Sequence, residues 1–134
     1  MKKLLYIILL GITFTAFSCG GGDDIEAIEQ RAGLTAQEYY KFLLDGKYDD
    51  FVAGMDGCDS LPAAYHEQMV ANTAMFVEQQ NEDHKGISDI TLSRCHADTA
   101  SHTAEAMLTL EYADNVKEIV CVPMVERDGN WYMR

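Results

Sequence analysis

The feature that most constrains this chain is a change of hydrophobic period at Ile87. Before it, apolar residues recur at helical spacing; after it, they alternate with polar ones. A chain of 134 residues has room for one core, so the helices and strands on either side of the change must share it. Leu34-Thr35-Ala36-Gln37-Glu38 predicts a helix start, with Thr35 and Glu38 at capping-box spacing. Tyr39, Tyr40, Phe42, Leu43 and Leu44 follow as its apolar positions, and Gly46 reads as the stop. Tyr48 to Met55 predicts a short second helix. Ser60-Leu61-Pro62 opens a third, with Ser60 as cap, Pro62 in the first turn and Gly86 at the end. Tyr65, Met69, Thr73 and Phe76 lie along one face of this third helix.

Four strands are predicted downstream. Ile90 and Leu92 alternate with Thr91 and Ser93, and Ala104, Ala106, Leu108, Leu110 and Tyr112 alternate with their neighbours. Val116 to Val125 is dense in Val and Ile. Asp128-Gly129 signals a hairpin into a last strand at Trp131 to Arg134. Two registers suit the middle hairpin. A two-residue Asp114-Asn115 turn sets Leu110 opposite Ile119, Leu108 opposite Cys121 and Glu111 against Glu118. A three-residue turn sets Leu110 opposite Val120 and Leu108 opposite Val122. The choice decides which residues of the third strand face the core.

Charge excludes whole classes of partner. Ten Lys and Arg stand against 22 Asp and Glu, a formal charge of −12, so the chain lacks the cations that neutralise nucleic-acid phosphates or bind anionic lipid. At the N-terminus, Lys2 and Lys3 precede an apolar run from Leu4 to Phe17, shorter than the ~20 residues of a bilayer span and suited to a signal-peptide core. Ser18-Cys19-Gly20 at the end of this run resembles the lipobox of bacterial lipoproteins, although Ala16 stands where Leu is usual. The resemblance implies that residues 1–18 are removed and that Cys19 carries acyl chains, which anchor the protein to a membrane. The alternative is Ala16-Phe17-Ser18 as an ordinary cleavage site, giving a soluble secreted protein. Gly20, rather than Asp, after the Cys resembles an outer-membrane sorting signal, and Asp23-Asp24 resembles the acidic tags of surface-displayed lipoproteins. Residues 19–33 then read as the lipidated Cys and a flexible tether, the alternative being a helix through Ile25-Glu26-Ala27-Ile28 that Gly33 interrupts, and residues 34–134 as the domain. Loss of residues 1–18 removes two Lys and takes the formal charge to −14.

Three helices followed by an antiparallel meander make an α+β plan. With the Gly46-Lys47-Tyr48 stop and the terminal Asp128-Gly129-Asn130-Trp131-Tyr132, the order of elements resembles the nuclear transport factor 2-like superfamily, most nearly its lumazine-binding-like lipoproteins. That resemblance spans Leu34 to Arg134. It implies a cystatin-like cone in which three N-terminal helices pack on a curved four-stranded sheet whose open end can hold a small molecule. It also implies that two copies can pair through the sheet.

In catalytic members of that superfamily a carboxylate or His deep in the cone moves a proton, which requires burial to shift its pKa. Glu105 and Glu111 fall on the face away from Leu108 and Leu110, while Glu118 and Glu126 depend on the register. No catalytic residue, metal ligand or cofactor is assigned. Cys95, His96 and His102 flank one turn without zinc-motif spacing. Cys95 and Cys121 read as buried, and Cys58, in a glycine-rich loop, as the exposed thiol; a Cys58–Cys95 bridge is the one pairing considered. The pocket candidates are Tyr39, Tyr40, Leu43, Tyr65, Met69, Phe76, Leu108, Leu110 and Trp131. The expected role is an outer-membrane-anchored, non-catalytic module that binds a small hydrophobic ligand or an envelope protein. Two other readings stay open: an isomerase- or dehydratase-like enzyme, and a filled cone with a docking face on the sheet.

Overall fold

The computed structural model describes residues 21–134, so the signal segment, Cys19 and Gly20 lie outside the described residues. The element order is α1 (Gly21–Leu44), α2 (Tyr48–Ala53), a 3₁₀ turn at Cys58–Ser60, α3 (Ala63–His84), then β1 (Ile87–Asp98), β2 (Thr103–Tyr112), β3 (Lys117–Arg127) and β4 (Asn130–Met133). The strands form one antiparallel sheet in the order β1-β2-β3-β4. Among the described residues no helix is long and apolar enough to cross a membrane.

The expected tether is helix from Gly21 onward, and Gly33 does not interrupt it. Gly33 packs closely on β1: a Cβ there would lie 2.8 Å from Leu92 Cδ2 and 3.1 Å from Cys95 Cβ. The helical cost of a glycine, about 1 kcal/mol, is offset by burial of Ala32 and Ala36 against the sheet. Glu29, a turn earlier, accepts the Ala97 amide at 2.8 Å and so ties the added turns to β1. Thr35 is therefore mid-helix, not a cap, and its hydroxyl donates to the Arg31 carbonyl. Nor does Ser60 cap α3; it closes the 3₁₀ turn, and the Pro62 carbonyl begins the helix by accepting the Tyr65 and His66 amides.

The middle hairpin adopts neither expected register. Leu110 pairs with Glu118, Leu108 with Val120 and Ala106 with Val122. The loop is Ala113-Asp114-Asn115, with Tyr112 donating to the Val116 carbonyl and Asn115 in the left-handed region at φ 71°. This is the three-residue hairpin whose last position needs positive φ, which Asn tolerates. It replaces the Glu111–Glu118 clash by a Glu111–Lys117 pair. Val120, Val122 and Met124 consequently share a face with Leu108 and Leu110, and these form the core with Ile90, Val52 and Phe51.

Two of the three cysteines lie opposite to expectation, Cys58 and Cys121, while Cys95 packs partly buried against the core. Cys58 is buried, Cys95 half-buried and Cys121 exposed, and all three are free thiols. Cys121 pairs in register with Met107, on the outer face, because the register moved odd-numbered residues of β3 outward.

Candidate functional site

The curved sheet and the helices leave an open cavity of about 450 Å³ at one end of the core, so the cone is not filled. Helix α1 contributes Tyr40 and Leu43, α2 contributes Phe51, and Met55 follows it. Helix α3 supplies Met69, Asn72, Thr73 and Phe76 along one side, and the sheet supplies Leu110, Glu118 and Val120. The volume falls within the usual range for small-ligand sites, and the walls are mostly apolar. The cavity exists because α3 packs lightly. Of its 22 residues only Thr73 is buried, while Phe76 is 40% exposed and Met75 is 64% exposed.

The elements around the cavity are fixed by specific contacts. Beside the cavity, Met55 bridges to Met133, and the Asp56 and Met133 amides bond across that junction. The Tyr39 hydroxyl donates to the Trp131 carbonyl at 2.8 Å, joining α1 to β4. Tyr40 meets Phe51 edge to face at 5.3 Å. The end of α3 is held by His84, whose Nδ1 lies 2.9 Å from Asp114 in the β2–β3 loop. The His84 ring stacks on Tyr112 at 4.6 Å. Tyr112 in turn donates its hydroxyl to Glu118 at 2.8 Å. Burial, helped by that carboxylate, pushes the Tyr112 phenol up to about 12. The His84 contact, aided by the Val116 amide, lowers Asp114 below the usual carboxylate range.

Of the nine residues expected to line the pocket, Tyr40, Leu43, Met69, Phe76 and Leu110 do so. Tyr39 and Trp131 instead bond to each other and join α1 to β4, Leu108 is fully buried in the sheet core, and Tyr65 is 58% exposed on the first turn of α3. Phe51, Met55, Asn72, Thr73, Glu118 and Val120 line the cavity and were not anticipated. For Asn72 and Thr73 the signal was available, since they share the helical face of Met69 and Phe76. Glu118 and Val120 hang on the register.

The carboxylates divide accordingly. Glu105 is exposed and Glu111 half-buried on the outer face, and Glu126 lies 3.4 Å from His102. Glu118 alone among them reaches the cavity, at its solvent-exposed mouth. Asn72 and Thr73 already have partners, Gln68 and the Met69 carbonyl. Cys95, His96 and His102 do not converge: His96 lies 3.5 Å from Glu29, and burial, with the nearby Glu29 charge, pushes the Cys95 thiol up to about 11. Among the described residues no three His, Cys, Asp or Glu side chains are grouped to hold a metal.

A second cluster lies apart from the cavity. Cys58 Sγ is 3.4 Å from His66 Nδ1, and His66 Nε2 is 3.9 Å from the exposed Asp49. The arrangement has the order of a nucleophile, base and orienting acid. Its electrostatics run the other way: burial, with the neighbouring Asp59 charge, pushes the Cys58 thiol up, which keeps it protonated. The pair joins the 3₁₀ turn to α3.

No family model and no curated protein matches this sequence. Among solved structures the chain is similar to a Campylobacter jejuni protein provisionally described as an NTF2-like transpeptidase. The match has a TM-score of 0.54 at 14% identity and covers 85% of this chain and 97% of that one. The chain therefore has the nuclear transport factor 2-like fold, α+β with three helices and a four-stranded antiparallel sheet.

Proposed function

We propose that this protein is an outer-membrane lipoprotein whose domain binds a small apolar ligand in the open cone without transforming it. One observation carries the binding reading: the roughly 450 Å³ cavity is walled by apolar side chains, and its carboxylate stands at the wet mouth. Proton-transfer chemistry in such a cone needs a buried carboxylate or His with a shifted pKa, and Glu118 is solvent-exposed. Lys2-Lys3, the apolar run and Ser18-Cys19-Gly20 support the anchor. Helix α1 begins two residues after Cys19, so an acyl chain there would be followed almost at once by the folded domain.

The transpeptidase description of the structural neighbour raises a second reading, group transfer through a nucleophile. The Cys58–His66 contact favours it by geometry, and the raised Cys58 thiol disfavours it. Binding is the reading we keep.

The test is titration of the protein with an apolar dye that fluoresces on leaving water. Asn72 is exposed on α3 yet lines the cavity, so Asn72→Trp fills the site without disturbing the core. We expect saturable dye binding that weakens at least tenfold in Asn72→Trp, with an unchanged circular dichroism spectrum. Binding that the variant leaves intact would refute the assignment to this cavity. Incorporation of a fatty-acid label that persists in Cys19→Ala would refute the anchor.

A further inference from the structure

The cavity lining is mostly apolar and carries one charged side chain, the exposed Glu118, and this combination selects a ligand class. Resting on the binding reading above, we propose that the ligand is an amphiphile with a cationic head, seated with its apolar body inside and its head at Glu118. Glu118 reaches the cavity because it pairs with Leu110, which is fully buried at the cavity wall. Strand alternation places the adjacent Lys117 on the other face, where it pairs with Glu111. Among the described residues Glu118 makes no ion pair: the charged contacts go to Asp49, Asp114, Glu29, Glu126 and Asp56.

The carboxylate is also held in place. One oxygen accepts the Tyr112 hydroxyl, and the Tyr112 ring is stacked against His84 at the end of α3. An ionised carboxylate has about four acceptor sites, so one such bond leaves most of its capacity toward the cavity. Tyr40 and Phe76 line the same space, and aromatic faces attract cations electrostatically. Leu43, Met69 and Val120 offer the surface for an alkyl or ring body. An anionic head would meet Glu118 in a chain of formal charge −12, and no cation lines the cavity to receive it.

Calorimetric titration of the purified protein with three single-chain amphiphiles tests this. Decyltrimethylammonium, decyl glucoside and decyl sulfate share a chain length and differ in head charge; each is used below its micellar concentration. We expect the cation to bind about two- to fivefold more tightly than the neutral compound, the range of an exposed ion pair, and the anion most weakly. The preference shrinks as salt rises from ~0.01 M to ~1 M, where the screening length falls to about 3 Å. Glu118→Gln abolishes the preference, so that the cation and decyl glucoside bind with equal affinity. Equal, salt-insensitive binding of cation and neutral compound overturns the cationic assignment while the binding reading stands. Failure of all three to bind overturns both. Should Glu118→Gln not fold, the salt series on the native protein decides.

Discussion

Gly54 lies at the junction of α1, α2 and β4, and Gly54→Ala tests how tightly that junction is packed. Its backbone is ordinary, φ −79° and ψ −2°, so the position tolerates alanine by conformation. Space is the obstacle: a Cβ there would lie 2.5 Å from Tyr39 Cδ1 and Cε1 and 2.8 Å from Cζ. Carbon atoms rest at about 3.5–4.0 Å, so the ring must retreat by roughly 1 Å. Retreat is opposed on two sides. The Tyr39 hydroxyl is bonded to the Trp131 carbonyl, and the Gly54 carbonyl is pinned by the Met133 amide at 2.8 Å. Overpacking costs about 1–3 kcal/mol and loss of a hydrogen bond about 0.5–1.5 kcal/mol, so we expect a destabilisation of roughly 2–4 kcal/mol. With a urea m-value of about 2 kcal/mol/M, the unfolding midpoint falls by about 1–2 M. The decisive measurement is the same substitution in a Tyr39→Ala background. The clash is then absent, and Gly→Ala at a compatible site stabilises by about 0.4–1 kcal/mol through the unfolded chain. The effect should therefore change sign, a coupling well above the ~0.5 kcal/mol seen between independent sites. An equal cost in both backgrounds would refute the Tyr39 contact as its origin.

Two further outcomes follow from the thiols and from Tyr112. In native protein at neutral pH, maleimide should modify exposed Cys121 at least tenfold faster than Cys58 or Cys95, whose thiols are raised by burial; mapping by mass spectrometry would sink the protonated-thiol argument if Cys58 reacted as quickly. Because the Tyr112 phenol is raised from 10.0 to about 12, the folded state holds a proton that the unfolded state releases between those values. Its contribution to stability is intact below about pH 10 and is lost as pH rises toward 12. Tyr112→Phe should flatten that alkaline decline in urea titrations, and an unchanged slope would show that Tyr112 does not titrate as argued.

Much of the fold is legible in the residues. The period change at Ile87, the alternation from Thr103 to Tyr112 and the Asp128-Gly129 turn give the order of elements and the direction each strand faces. These are local properties, since a strand's side chains alternate and a helix repeats every 3.6 residues whatever surrounds them. Five of the pocket residues were legible for the same reason: apolar side chains at one helical or strand face point to one place.

What the sequence left open turned on contacts between elements. Two cross-strand registers differ by pair energies of about 0.2–1 kcal/mol, too little to read from residue types; the conformation of Asn115 settles the hairpin and, with it, brings Glu118 to the cavity and turns Cys121 outward. Gly33 looks like a helix stop in isolation and is a helix–sheet contact in the folded chain, because the cost of a helical glycine is small beside the burial it permits. Trp131 and Tyr39 looked like pocket lining and instead join α1 to β4, since only packing decides whether an aromatic faces a void or fills one. The sequence by itself determined which elements form and which faces are apolar. Where those faces meet, and so where the cavity opens and which carboxylate guards it, was decided by tertiary structure, because the deciding terms are long-range contacts no single segment contains.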